Sequence, residues 1–246
     1  MKVVVGHLYP DYLNIYADRG NMAVLAARAR ARGHELEVLP LGLGDAVPDG
    51  VDLFYVGGGQ DREQALVAPD LAAKGDALRE AVAGGAAVLA VCGGYQLLGR
   101  SYRDRTGAEL PGAGLLPLHT VAGERRMIGD VLLDCAWAGR TLAGFENHAG
   151  RTILDAGAEP LGRVLAGFGN DGGSGAEGCR LGRVYGTYLH GPLLPRNPWF
   201  ADRLLADALA RRAGGEVELA PLDDALEEAA HAVAAGRARA RGGRRR

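Results

Sequence analysis

Lysine is almost missing from this sequence. Only Lys2 and Lys74 occur in 246 residues, and arginine carries the rest of the positive charge. Neither lysine lies in a glycine-rich loop, and no G-x-x-x-x-G-K-[ST] occurs, so the chain has no recognisable P-loop for a nucleotide's phosphates. Cysteine is scarce too. Cys92, Cys135 and Cys179 stand far apart with no C-x-x-C and no His/Cys cluster, which argues against a disulfide scaffold and against a zinc site, so no metal is expected. No apolar run approaches the ~20 residues of a membrane span. The first residues lack the basic, apolar and small-residue regions of a secretory signal. A net charge of −2 lacks the basic excess of a nucleic-acid binder. These absences point to a soluble protein of a reducing, cytoplasmic compartment, with no nucleic-acid partner and no membrane span.

What remains is an apolar fraction of 48%, enough for a folded core in one large domain. Residues 2–8 (KVVVGHL), 35–41 (ELEVLPL), 51–56 (VDLFYV) and 87–91 (AVLAV) read as strands. Between them, 18–32 reads as a helix capped by Asp18 and ended by Gly33, and 62–83 as a helix broken near Pro69. Strands that are apolar on both faces, alternating with helices, predict an α/β fold with a parallel sheet covered on both sides. The second half has a different pattern: strands near 127–133, 141–147, 163–168 and 183–189 suggest an antiparallel extension, and 197–212 and 222–235 read as closing helices. One domain over 1–235 is expected, followed by a disordered basic tail over 236–246 that holds six arginines.

The chemistry concentrates at residues 88–99, VLAVCGGYQLLG. An apolar strand ends on Cys92, two glycines follow, and a helical pattern begins. A nucleophile between strand and helix sits on a sharp turn at the ligand-facing end of a sheet. The start of the helix favours thiolate over thiol. Gly93 leaves its own N–H open to an oxyanion, and Gly94 allows helix and strand to pack closely. Gly57-Gly58-Gly59, after another strand, can supply the second donor. A buried structural cysteine beside a glycine turn is the rival reading. A thiol nucleophile also needs an imidazole. His190, in VYGTYLHGP, ends a strand and is followed by glycine; His148, in FENHAG, also ends a strand and remains an alternative.

Gly57–Asp61 (GGGQD), Cys92–Gln96 (CGGYQ) and Gly186–Gly191 (GTYLHG) come in the order and on the elements seen in class I glutamine amidotransferases, and the chain resembles that family. Within it the sequence is similar to the cobyric-acid-synthase-like branch. The stretches LYPDYLNIYADRGNM (8–22), GGGQDREQ (57–64), IGDV (128–131) and GFENHAGRT (144–152) resemble the glutaminase subunits of lipid II isoglutaminyl synthase. The resemblance covers most of the chain and implies a three-layer, flavodoxin-like fold with a mainly parallel central sheet.

It also implies roles. Cys92 would attack the side-chain amide of L-glutamine and form a γ-glutamyl thioester, with His190 moving the protons. The oxyanion hole would use Gly93 with Gly58 or Gly59. Gln96 matches a glutamine-contacting position, and Arg126, with Arg125 as its neighbour, matches the arginine that receives the α-carboxylate. Many members place a glutamate two residues after the histidine. Here that residue is Pro192, so a dyad is expected, with Glu146 as a candidate third member. The resemblance implies a MurT-like partner of the Mur-ligase family that uses ATP, this chain needing no cofactor. The missing P-loop points the same way, since ammonia would have to reach an acceptor activated elsewhere. Tyr9, Tyr12, Asn14 and Tyr16 form a candidate docking loop. The rival readings are a stand-alone cysteine hydrolase of γ-glutamyl substrates and a degenerate, non-catalytic binding module.

Overall fold

The computed structural model describes residues 1–14 and 19–242. The first half contains β1 (Lys2–Leu8), α1 (Arg19–Ala31), β2 (Glu35–Leu41), β3 (Leu53–Val56), α2 (Asp61–Ala73), α3 (Gly75–Ala83), β4 (Ala87–Val91) and α4 (Gly93–Leu98). Then follow β5 (Ser101–Arg103), β6 (Glu109–Pro111), β7 (Leu118–Cys135), β8 (Arg140–Leu154), β9 (Gly162–Ala166) and β10 (Ala176–Glu177). The chain closes with β11 (Cys179–Leu181), β12 (Val184–Thr187), α5 (Pro198–Ala213) and α6 (Ala225–Gly242).

The strands form two sheets. One has the order β11-β12-β4-β3-β1-β2 and is parallel except for β11. Every residue of β3, β4 and β12 is buried, as their unbroken apolar runs require, while β2 is an edge strand, largely exposed, where Pro40 is tolerated. Neighbouring residues of β12 show that helices cover both faces. Tyr185 donates its hydroxyl to Asp207 of α5 at 2.8 Å. The next residue points the other way, and a Cβ on Gly186 would come within 2.1 Å of the Tyr95 ring of α4. Arg28 ties α1 to this face through Asp202 of α5 at 2.5 Å and Asp224 at 2.6 Å.

The second sheet has the order β10-β9-β7-β5-β6, with β8 also on β7, and is antiparallel apart from the β5–β7 pair. Its long hairpin reaches the first sheet where Phe145 of β8 and His190, just past β12, exchange backbone hydrogen bonds of 3.0 and 3.2 Å.

Three expectations are corrected. The break in the 62–83 helix lies at Lys74–Gly75, and Pro69 is inside α2. Proline forfeits one hydrogen bond there, whereas Gly75 is pressed against Ala113, whose carbonyl oxygen a Cβ would approach to 2.7 Å. The central strands of the second half run far past their predicted ends, to 18 residues in β7 and 15 in β8, because they pair with each other. The basic tail does not begin at 236. Helix α6 continues to Gly242, with Ala235 and Ala238 packed on Leu132, Ala143 and Ala166, and Arg241 paired with Asp130 at 2.8 Å. Residues 243–246 lie outside the described residues, as do Asp18, the expected helix cap, and Tyr16.

Gly186→Ala should destabilise the fold by about 3 kcal/mol, since the buried Tyr95 ring has no room to retreat. Gly215→Ala, where a Cβ meets nothing within 4 Å, should stay within about 0.5 kcal/mol. Thermal or urea unfolding of the two variants checks both values.

Candidate active site

Cys92 follows β4 with φ 51° and ψ −109°, a backbone region that side chains rarely adopt. Local contacts impose it. The Cys92 N–H donates to the Thr187 carbonyl at 2.8 Å, the Gly94 N–H to Gly57 at 3.0 Å, and the Cys92 carbonyl accepts from the Gln96 N–H at 3.1 Å. The glycines are needed for close approach. A Cβ on Gly94 would lie 2.6 Å from the Val56 carbonyl oxygen, and one on Gly93 would lie 2.9 Å from the Gly59 nitrogen. The turn after β3 and the turn after β4 are thus pressed together, with the Gly59 nitrogen against Gly93, and Gly59 and Cys92 line one cavity.

Cys92 opens onto a cavity of about 640 Å³, lined also by Gly59, Gln60, Gln64, Gln96, Arg126 and His148. Gln96 is nearly buried: its Oε1 accepts from Gln64 Nε2 at 2.8 Å and its Nε2 donates to the Tyr188 hydroxyl at 3.1 Å. Arg126 is exposed at the cavity. It sits in the irregular stretch where the β7–β8 register shifts between Ala122 and Met127, and such bulges re-aim side chains. Its Nε and Nη2 donate to Asn147 Oδ1 and the Asn147 carbonyl at 2.9 and 3.0 Å, which fixes the guanidinium and leaves Nη1 for a ligand. Arg125 does not line the cavity; its carbonyl accepts from Arg151 at 2.9 Å.

His190 leaves the sheet beside Cys92, because Thr187 pairs with Val91. The backbone bridge to Phe145 holds it, and its ring packs edge-on against that of Phe145 at 5.9 Å. It is 1% exposed and does not line the cavity. Burial, followed by the fields of His148 and Arg126, lowers its imidazole to about 4. The ring is therefore neutral near pH 7, as a base must be, and lies close to two groups that do face the cavity.

His148 is the cavity-facing histidine. Its ring stacks on Tyr188 with centroids 3.4 Å apart, its Nδ1 lies 2.9 Å from the Gly150 carbonyl, and its Nε2 is 3.7 Å from Glu146. Burial lowers its basicity as well. Glu146 is fully buried and accepts backbone N–H groups from Phe168 and Gly169 at 2.6 and 2.9 Å. The candidate third member thus stands beside His148. Tyr9, expected on a docking loop, is fully buried and donates to Asp70 at 2.7 Å. Sequence reasoning gave no roles to Gln64, Tyr102 and Asn147; all three reach the cavity, and the GGGQDREQ stretch was the only local signal for the first.

Buried neutral imidazoles make the protein acid-labile. His7 is also lowered to about 4 by burial. For His7 and His190 the unfolded chain takes up its proton near pH 6.5, the folded chain only near 4, so stability falls as pH drops through that window. Glu177, raised to about 8 by burial, works in the opposite sense, but the imidazoles outnumber it. The melting temperature should fall by at least about 5 °C between pH 6.5 and 4.5, and His7→Phe should flatten the slope; a flat profile in the wild type contradicts this.

Residues 4–198 match the model of the CobB/CobQ-like glutamine amidotransferase domain. The chain is 39% identical, over 96% of its own length and 96% of the relative's, to the GatD subunit of the glutamine-hydrolysing lipid II isoglutaminyl synthase of Staphylococcus aureus. It is 37% identical to the subunit of the same name from Streptococcus pneumoniae, over 91% of this chain and 87% of that one. The structure of PurLQS from Thermotoga maritima shares the fold, with a TM-score of 0.57 at 17% identity over 87% of this chain and 99% of that chain. The cysteine corner after β4 is therefore found in a chain that belongs to the CobB/CobQ-like glutamine amidotransferase family.

Proposed function

We propose that the chain is the glutamine-hydrolysing subunit of a lipid II isoglutaminyl synthase. It would release ammonia from L-glutamine for a Mur-ligase-like, MurT-type partner that amidates the D-glutamate of the lipid II stem peptide. The observation that carries the reading is the strained Cys92 corner opening onto one cavity with Arg126 and Gln96. The near full-length similarity to two subunits named for that reaction supports the finer assignment. The work would be cytoplasmic; no helix among the described residues is long and apolar enough to cross a membrane. ATP would be used by the partner, and this chain would need no cofactor.

The mechanism follows from the groups present. The glutamine α-carboxylate pairs with Arg126, and the side-chain amide reaches Cys92 beside Gln96. The His190 imidazole takes the Cys92 thiol proton as the sulfur attacks the amide carbon, and the Gly93 N–H, with that of Gly59 or Gly58, holds the oxyanion. Collapse breaks the C–N bond, and the protonated imidazole gives its proton to the leaving nitrogen, which departs as ammonia. Water, deprotonated by the same imidazole, cleaves the thioester to glutamate and regenerates the thiol. A neutral histidine that carries positive charge only transiently suits both steps. Pro192 packs on Gly20, whose Cβ would come within 2.8 Å of it, and supplies no carboxylate to the base.

Cys92→Ala should abolish ammonia release, with and without the partner, while the folded signal persists. His190→Ala should lower kcat by a factor of about 10² to 10⁴. A larger loss in His148→Ala than in His190→Ala would transfer the base to the cavity-facing ring. Arg126→Lys, which loses the Nη1 donor and the two Asn147 contacts that fix it, should raise KM for glutamine by about tenfold with a smaller change in kcat. Coupled glutamate and ammonia assays on the chain alone and in complex read all four variants.

A further inference from the structure

Among the described residues, three fully buried acids stand outside the steps above: Asp52, paired with Arg211 and Arg212; Glu146, beside His148; and Glu177. Glu177, in β10, is 0% exposed and has no ion pair. Its Oε1 accepts the Tyr188 N–H at 2.6 Å, and both of its oxygens lie 3.1 Å from the Thr187 hydroxyl. That hydroxyl oxygen accepts the Leu189 N–H at 3.0 Å, while the Thr187 carbonyl accepts the Cys92 N–H at 2.8 Å. Thr187 is therefore a junction. One side of it holds the strained nucleophile corner, and the other fixes the two residues that lead directly to His190.

We propose that Glu177 is a positioning residue which, through Thr187 and Tyr188, holds the His190 segment in register with the Cys92 corner, a task for which Pro192 offers no side chain. Core filling does not explain this acid. A buried carboxyl without a cation costs stability, and an apolar side chain of equal volume would serve packing better. Burial does raise this carboxyl, to about 8. Tyr188 extends the reach of the contact, since its ring stacks on His148 and its hydroxyl meets Gln96 and Thr152. One side chain thus sets both the backbone before the base and the side of the cavity that faces glutamine.

The inference rests on the glutaminase reading, and its test has one arm that does not. Glu177→Leu removes both acceptors, and Thr187→Val removes only the hydroxyl at nearly constant shape. Glu177→Gln keeps an acceptor for Tyr188 and a polar partner for Thr187. Alkylation of the folded chain by iodoacetamide between pH 5 and 9 reports Cys92, because Cys135 and Cys179 are sealed and burial pushes both thiols up to about 12; Cys92→Ala gives the background. We expect Glu177→Leu and Thr187→Val to label at least tenfold more slowly at pH 7, with the profile moved to higher pH, and Glu177→Gln to stay within threefold of wild type. In the glutamine assay the first two should lose kcat tenfold or more with KM within twofold. Wild-type labelling rates and profiles in Glu177→Leu and Thr187→Val would overturn the proposal. So would Glu177→Gln behaving no better than Glu177→Leu, with kcat, KM and melting temperature failing together. A wild-type chain that labels as expected but never hydrolyses glutamine would sink the glutaminase reading alone.

Discussion

The backbone at Cys92 is the constraint around which the rest is arranged. A cysteine at φ 51° costs of order 1–3 kcal/mol relative to an ordinary turn. It persists because the surroundings leave no alternative. Its N–H is held by β12, and the next two residues are glycines wedged against the turn after β3. Behind it, β3, β4 and β12 are buried on both faces and every residue of α4 is buried. Relaxing the corner would mean moving the core of the sheet, so the strain is offset by packing and the thiol stays at the cavity.

The second sheet completes what the first cannot. The parallel sheet brings the ends of β4 and β12 side by side, but the segment carrying His190 is held by β8 through Phe145 and by Glu177 from β10. The same hairpin supplies Arg126, aimed by an irregular stretch of β7, and His148. Charge is distributed accordingly. An exposed guanidinium stands at the cavity, and the imidazoles deeper in are kept neutral by burial. Such a field suits a ligand with a carboxylate at one end and an uncharged amide at the other.

The parts legible in the sequence were those governed by local pattern. The bounds of β1, β2 and β4 follow from their apolar runs, and the place of Cys92, Gly93 and Gly94 at a sharp corner follows from a strand that stops at a cysteine and restarts as a helix. Arg126 was separated from Arg125 only by the register shift in β7. Glu146 and His148 were candidates in the sequence and Glu177 was not, but the contacts of all three were out of reach because long-range antiparallel pairing, not their neighbours in sequence, determines what they face. Glu146 lay inside the strand expected over 141–147, but its place beside His148 depends on β8 running on to Leu154. Gly75, not Pro69, interrupts the helix because the close approach of Ala113 is a tertiary contact. The arginine-rich segment read as tail because composition does not reveal that Ala235 and Ala238 find a small-residue seat on the second sheet.

The most direct test of the central claim is covalent trapping. The chain is incubated with 6-diazo-5-oxo-L-norleucine, a glutamine-shaped electrophile, and the modified peptide is identified by mass spectrometry with and without competing L-glutamine. A single adduct on Cys92, suppressed by glutamine and strongly slowed in His190→Ala, is the predicted result. An unmodified Cys92 in folded protein, or labelling that glutamine does not suppress, would contradict the account.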